Sequence, residues 1–159
     1  GNQALAAARM GTDVQFAGRA GSDRFGDMIR ETLVNSRIDL SQLQRDAGPS
    51  GMSAAIVDER GDYGAVIVSA ANLNIDAKAI EVPSGTSVVL LQNEVPEEVN
   101  VAVARKARAA NAQGWLNAAP ARLLQDALLN AVDVLIVNRV EAEFFADIPQ
   151  GYVYLNCIS

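Results

Sequence analysis

The chain contains no histidine and one cysteine, Cys157. Without histidine, no catalytic triad can use an imidazole base, and a transition-metal site lacks its commonest ligand. A single cysteine cannot form an intrachain disulfide, so we expect a reducing, cytoplasmic setting. The composition therefore excludes histidine-dependent catalysis and a disulfide-stabilised scaffold.

Basic residues are also scarce. The chain has 13 Lys and Arg residues and 19 Asp and Glu residues, which give a net charge of −6. With no basic run, we expect no nucleic-acid partner. No apolar stretch is long enough to cross a bilayer, so we expect no membrane partner. The motifs G-x-x-x-x-G-K-[ST] and G-x-G-x-x-G are absent, which disfavours a P-loop enzyme and a Rossmann-type oxidoreductase.

Half of the residues are hydrophobic, and many of them occur in short apolar runs between helical stretches. The runs predict strands at residues 87–92, 114–117 and 132–137. Helices are predicted to begin at Pro96, to span about 121–129, and to begin again at Asn138. Alternating short strands and helices are typical of a parallel α/β sheet with crossover helices.

Polar residues follow each of these strands. Gln92-Asn93-Glu94 ends the first, Asn117 the second and Asn138 the third. In open α/β sheets, ligands bind at the carboxyl ends of the strands. The sequence therefore predicts a site for a polar small molecule at this edge.

The N-terminal part continues the alternation. We predict a helix over 2–10 closed by Gly11, a strand over 13–17, a glycine-punctuated turn, and a helix over 24–36. Helical spacing predicts that the second helix buries four apolar residues. They are Phe25, Met28, Ile29 and Leu33.

An antiparallel hairpin interrupts this pattern. Strands 52–57 and 63–68 flank a charged turn that contains Gly61. Such an insertion suggests a lid or a dimer arm. We therefore divide the chain into an α/β part over 1–50, a hairpin lid over 51–71, a continuation of the α/β part over 72–145 and a tail of uncertain origin over 146–159.

Several polar residues allow two interpretations. Asn138 and Glu141 could form a helix capping box, or could face the crevice near a phosphate and a hydrated Mg²⁺ ion. Asn2 could cap the first helix or bind hydroxyl groups. Glu94 could be a helix-start acid or an acceptor for sugar hydroxyls. Arg122 is interpreted as a solvated first-turn residue rather than a ligand.

Six short motifs, in chain order and at plausible spacing, resemble those of the ribokinase-type (PfkB) sugar kinases. They are Gly1-Asn2-Gln3-Ala4 followed by Gly11, Gly21-Ser22-Asp23-Arg24-Phe25-Gly26, Ala70-Ala71-Asn72, Leu91-Gln92-Asn93-Glu94, Asn117-Ala118-Ala119-Pro120-Ala121-Arg122, and Asn138-Arg139-Val140-Glu141-Ala142-Glu143. The third is similar to a G-A-N lid exit, the fifth to N-P-A-P-A-R and the last to N-x-x-E. Together they cover residues 1 to about 143.

The resemblance implies a three-layer, Rossmann-like α/β fold with a mostly parallel sheet and an inserted hairpin lid. It implies that Asn2 and Glu94 bind sugar hydroxyls. Three residues would face the sugar from the lid: Ser53, Ala55 and Ile67. Asn138 and Glu141 would serve the nucleotide phosphates, and Glu141 would hold Mg²⁺ through water.

The same resemblance implies ATP and Mg²⁺ as cofactors, with a monovalent cation such as K⁺ in the intact enzyme. A sugar and ATP would be the small-molecule partners, and the hairpin could join a homodimer. Two positions depart from the family pattern, since Ala70 replaces the glycine of G-A-N and Ala118 replaces the first proline of N-P-A-P-A-R. The small or polar Ser53 and Ala55 leave the identity of the sugar open.

The family's G-A-G-D segment, with its anion hole and Asp base, would lie beyond Ser159. We therefore expect a truncated chain: a fragment of an ATP-dependent sugar kinase that is inactive alone. The alternative is a non-catalytic sugar- or nucleotide-binding module, or a degenerate kinase relative. An in-frame G-A-G-D downstream would favour the kinase.

Overall fold

The structure is a computed structural model that describes residues 1–57 and 63–146. The charged turn of the hairpin and the predicted tail from residue 147 onward, with Cys157, lie outside the described residues. The chain divides into two compact units, the N-terminal unit Gly1–Ile75 and the C-terminal unit Asp76–Ser159.

The N-terminal unit contains two helices and two small sheets. Its elements are α1 (Asn2–Arg9), β1 (Gly18–Ala20), α2 (Arg24–Asn35), β2 (Leu43–Arg45), β3 (Met52–Val57), β4 (Tyr63–Val68) and a 3₁₀ turn (Ala70–Asn74). Strands β1 and β2 pair in parallel, and β3 and β4 form the antiparallel hairpin. The hairpin strands end at the predicted residues, which confirms that prediction.

The C-terminal unit is built on a parallel sheet in the order β5-β6-β7. Its elements are a 3₁₀ turn (Ala77–Ala79), β5 (Val88–Gln92), α3 (Glu97–Ala109), β6 (Gln113–Asn117), α4 (Asp126–Leu129), β7 (Val134–Ile136) and α5 (Arg139–Ala146). Helix α3 packs on β5 and β6 through its buried face. Leu116 and Leu128 are fully buried in this core. The predicted alternation of parallel strands and helices is thus confirmed here.

Two predictions for the N-terminal unit were wrong. The first strand was predicted at 13–17 but lies at Gly18–Ala20, because it pairs there with β2, a strand that the sequence did not predict. Within 13–17, only Gln15 makes a bridge, to Asp39. In α2, Phe25 is 51% exposed and Met28 53% exposed, whereas Leu33 is 1% exposed. The helix is buried through Gly26 and Leu33 instead.

Close backbone contacts at Gly21 and Gly26 determine which face of α2 is buried. A Cβ atom on Gly26 would collide with the carbonyl oxygen of Gly21, and one on Gly21 would collide with the backbone nitrogen of Ser50. The side chain of Asp23 accepts from the backbone nitrogens of Gly26 and Ser50, both at 2.9 Å. The G-x-D-x-x-G motif therefore specifies a tight turn with a capped helix, which leaves Phe25 on the outer face.

Candidate functional site

The carboxyl edge of the sheet in the C-terminal unit carries the polar residues that the strand pattern predicted. The strand register aligns Gln92 with Asn117, and Asn117 with Ile136. Just beyond this edge lies an open, shallow cleft of ≈ 260 Å³. Its lining residues are Asn117, Ala119, Ile136, Val137, Asn138 and Glu141. The structure thus brings Asn117, Asn138 and Glu141 together.

Asn138 and Glu141 form a closed pair at the start of α5. The Asn138 backbone nitrogen and Nδ2 donate to the two carboxylate oxygens of Glu141, at 2.8 and 2.9 Å. In return, the Glu141 backbone nitrogen donates to Asn138 Oδ1 at 2.9 Å. This is the reciprocal geometry of a capping box. The structural interpretation of these two residues is therefore confirmed, and their role toward a nucleotide stays a prediction.

Glu141 is 5% exposed, so its carboxylate is held in place rather than free in solvent. It lies in the first turn of α5, where the helix dipole favours negative charge. Within residues 1–57 and 63–146, no three Asp, Glu or Cys side chains cluster closely enough to form a metal site. The described residues therefore offer one fixed carboxylate at the cleft and no all-protein metal cage.

Glu94 lies in the turn that follows β5, and its side chain is exposed. The preceding residue, Asn93, is buried and bonds across to the loop after β6. Its Nδ2 donates to the carbonyl of Pro120 at 3.2 Å, and its Oδ1 accepts from Arg122 Nη2 at 3.3 Å. Arg122 Nη2 also donates to the carbonyl of Val95 at 3.2 Å.

These contacts correct the interpretation of Arg122 as a solvated first-turn residue. Helix α4 begins only at Asp126, so Arg122 precedes it, in the loop after β6. Its side chain is half-buried against the turn that carries Glu94. Asn93 was predicted only as one of the polar residues after a buried strand, and its bonds to the loop after β6 were not predicted.

The three predicted lid residues fall on one face of the hairpin. Ser53 pairs with Ile67, and Ala55 pairs with Ala65 in the same ladder. Because alternate residues of a strand share a face, positions 53, 55 and 67 lie on the same side. Ser53 and Ile67 are exposed on that side. The ladder therefore brings these positions together.

Asn2 is the first residue of α1, and Gly1 occupies the N-cap position. The capping interpretation of Asn2 is therefore wrong, and its side chain is exposed. Asn2 and the lid residues belong to the N-terminal unit, whereas Glu94, Asn138 and Glu141 belong to the C-terminal unit. That all of them line one pocket stays a prediction.

A buried charge network stabilises the exit of the hairpin in the N-terminal unit. The carboxylate of Asp46 accepts from Asn74 Nδ2 at 2.9 Å, from the Gly48 nitrogen at 2.8 Å and from Arg19 Nε at 2.7 Å. The hydrogen bond from Asn74 is the main cause that lowers the pKa of Asp46, and Gly48 and Arg19 add to it. The pKa of Asp23 is likewise lowered, chiefly by the Ser50 hydroxyl.

A family model for pfkB family carbohydrate kinases matches residues 1–153. The chain belongs to this family. The family explains why six short motifs occur in one order along the chain.

None of the helices among the described residues has the length and apolar character needed to cross a bilayer.

Several curated relatives are ribokinases. That of Bacillus subtilis (strain 168) is 32% identical over 145 residues, covering 89% of this chain and 50% of the relative. That of Staphylococcus aureus (strain COL) is 29% identical over 152 residues, covering 92% of this chain and 50% of the relative. The chain thus spans about half the length of these relatives.

Solved structures show the same fold. Arabidopsis thaliana ribokinase complexed with ribose and ATP matches with a TM-score of 0.79 at 26% identity, covering 95% of this chain and 51% of that chain. Thermotoga maritima ribokinase matches with a TM-score of 0.80 at 26% identity, covering 91% of this chain and 48% of that chain. The predicted ribokinase-like α/β fold with parallel strands is therefore confirmed.

Proposed function

We propose that this chain is part of an ATP-dependent sugar kinase that transfers the γ-phosphate of ATP to a sugar hydroxyl. The observation that carries the proposal is the grouping of Asn117, Asn138 and Glu141 at the carboxyl edge of a parallel sheet, in a member of the pfkB family. The ribokinase solved with ribose and ATP supports both substrates. The cleft, at ≈ 260 Å³, is smaller than the roughly 300–1,000 Å³ of ligand pockets and would form one part of the site.

The nucleotide would bind at the start of α5. Asn138 would contact its phosphates, and the N-terminus of the helix would favour their negative charge. A single fixed carboxylate fits Mg²⁺, which keeps several waters and usually binds one or two carboxylates together with substrate phosphates. Glu141 would hold that hydrated ion through its waters, and the ion would neutralise charge that develops on the phosphates. Any K⁺ site of the complete kinase would use residues outside the described ones.

The family resemblance assigns the sugar contacts to Asn2, to Glu94 and to the hairpin. Asn2 and Glu94 present an exposed amide and an exposed carboxylate, groups that hydrogen-bond to hydroxyls. The hairpin face with Ser53, Ala55 and Ile67 would cover the sugar. Closing such a lid excludes water and orients the attacking hydroxyl toward the γ-phosphate.

The catalytic base would lie elsewhere. The family resemblance assigns it to a G-A-G-D segment, and the 159 residues contain no such segment. Loss of a general base costs about 10²–10⁴-fold in rate. We therefore propose that these 159 residues alone show almost no turnover, and that a protein extended to the relatives' length is active in the cytoplasm.

The test is ADP release by the protein extended from its own gene, with ribose, fructose, deoxyribose and nucleosides as acceptors. Asn2→Ala and Glu94→Gln should each raise the sugar KM by about 10- to 100-fold and leave the ATP KM unchanged, because the first removes a hydrogen-bonding amide and the second replaces a charged acceptor with a weaker, neutral one. Glu98→Gln, an exposed change on α3, is the matched control. Sugar binding without ADP release would favour the binding module, and an unchanged sugar KM would refute the site assignment.

The second face of the hairpin supports a homodimer. In the ladder, Met52 pairs with Val68 and Ala54 with Val66, so these residues lie opposite the sugar face. Met52, Ile56, Val66 and Val68 are all exposed there. We propose that this apolar face joins two copies. Val66→Lys should convert a dimer to a monomer in light scattering, whereas Leu123→Lys, at an exposed loop position, should not.

A further inference from the structure

We propose that Asn93 and Arg122 are positioning residues that fix the direction of Glu94 toward the sugar. This rests on the proposed function, because it assumes that Glu94 binds a sugar hydroxyl. The side chain of Glu94 is exposed, whereas the residues on both sides of it are hydrogen-bonded into the fold. We call the contacts made by Asn93 and Arg122 the Asn93–Arg122 clamp.

The turn from Gln92 to Val95 is held at three points. Asn100, buried in α3, donates from Nδ2 to the carbonyl of Gln92 at 2.8 Å. Asn93, 4% exposed, bonds to the loop after β6 through both ends of its amide. Arg122 donates to the carbonyl of Val95 at 3.2 Å. The backbone on each side of Glu94 is therefore fixed, and only its side chain remains free to meet a ligand.

Stability alone is a poor reason for Arg122 to occupy this place. The guanidinium loses solvent and gains hydrogen bonds of 3.2 and 3.3 Å, near the long end of the usual range. Its Nε is buried and has no partner among the described residues. A buried donor without a partner is costly, so a functional role is the better explanation.

Fixing the turn would favour binding for an entropic reason. A flexible turn must be ordered when a ligand binds, and this cost reduces affinity. A turn that is already ordered presents the Glu94 carboxylate in the binding geometry, so a supporting residue that never touches the sugar still affects its KM. The Asn93–Arg122 clamp also joins the ends of β5 and β6, so the position of Glu94 depends on the loop that contains Pro120.

The experiment measures steady-state kinetics of the extended protein with and without the clamp. Arg122→Met should raise the sugar KM about tenfold, with the ATP KM unchanged and kcat within about threefold of wild type. Arg122→Lys should restore part of the loss, because an ammonium group can still donate to Val95 or to Asn93. Arg105→Met, an exposed change on α3, is the control and should alter nothing.

A double-mutant cycle separates positioning from a general loss of structure. In a Glu94→Ala background, Arg122→Met should have little further effect on the sugar KM, because the carboxylate that it orients is already removed. Asn93→Ala breaks the same clamp from the other side and serves if Arg122→Met does not fold. If wild type is active and the clamp variants have an unchanged sugar KM, this inference alone is overturned. Fully additive effects of the Arg122 and Glu94 changes on the sugar KM would also overturn it alone. Absence of sugar phosphorylation by wild type would overturn the proposed function and this inference together.

Discussion

The two units hold their candidate residues in different ways. In the C-terminal unit, Asn138 and Glu141 are bonded to each other, and the turn of Glu94 is bonded at three points. In the N-terminal unit, Asn2 and Ile67 are exposed, on a helix start and on a two-stranded hairpin. The candidate residues of the C-terminal unit are therefore held by a hydrogen-bonded framework, whereas Asn2 and Ile67 project from exposed elements.

The largest expected effect contrasts a core residue of the C-terminal unit with a residue of the hairpin. Leu116→Ala should lower the free energy of unfolding by about 2–5 kcal/mol, because Leu116 is fully buried and a cavity would remain. Ile67→Ala should lower it by about 1 kcal/mol or less, because Ile67 is 46% exposed. Urea denaturation measures both. Equal losses would contradict the contrast between the units.

The next effect separates the two interpretations of the capping box. Glu141→Ala should cost about 0.5–2 kcal/mol, because it removes the acceptor for the Asn138 backbone nitrogen. Glu141→Gln can still accept that bond and should cost less. If Glu141 serves Mg²⁺, the glutamine variant should weaken Mg-ATP binding in calorimetry while its melting temperature stays near that of wild type. If the glutamine variant binds Mg-ATP as wild type does, Glu141 has only the structural role of a helix cap.

A smaller effect concerns the exit of the hairpin. Ala70 has a φ of +40°, a backbone region that favours glycine, at the position where the family pattern has glycine. Ala70→Gly should therefore raise the free energy of unfolding by about 1 kcal/mol. Ala6→Gly, in the exposed middle of α1, is the matched control and should lower it by a similar amount. Stabilisation by both changes, or by neither, would contradict the strain at Ala70.

The smallest expected effect is a pH dependence in the N-terminal unit. The pKa of Asp46 is lowered from its ordinary 3.8, so its contribution to stability is complete above that value and is lost as the pH falls through the lower, folded-state pKa. Asp46→Asn should therefore reduce stability at neutral pH and flatten the further loss below about pH 4. Urea midpoints across this range measure the slopes. Parallel profiles for wild type and variant would contradict the role of the network.

Local patterns predicted the elements whose residues are close in the sequence. The hairpin strands, α1 and the capping box at α5 follow from alternation, from a C-terminal glycine and from an Asn–Glu spacing of one helical turn. The polar residues after β5 and β6 also lie at the carboxyl edge of the sheet, where the strand pattern predicted them. These predictions were right because the interactions that form each element lie within a few residues.

Predictions failed where distant residues decided the outcome. Phe25 and Met28 have helical spacing, but the collision that excludes a Cβ at Gly26 determines which face of α2 is buried. Strand β1 lies where β2 pairs with it. Arg122 lies in a loop, not in the predicted helix, and bonds with Asn93. Neither partner is near in the sequence.

The sequence by itself determined the family, the alternation of parallel strands and helices in the C-terminal unit, and the polar groups available at the strand ends. Tertiary structure alone decided which of those groups are bonded into the fold and which remain exposed for a ligand. The physical reason is that burial and hydrogen-bond partners depend on residues brought together by packing. Asn93 and Glu94 are adjacent in the chain, yet one is buried and the other is exposed.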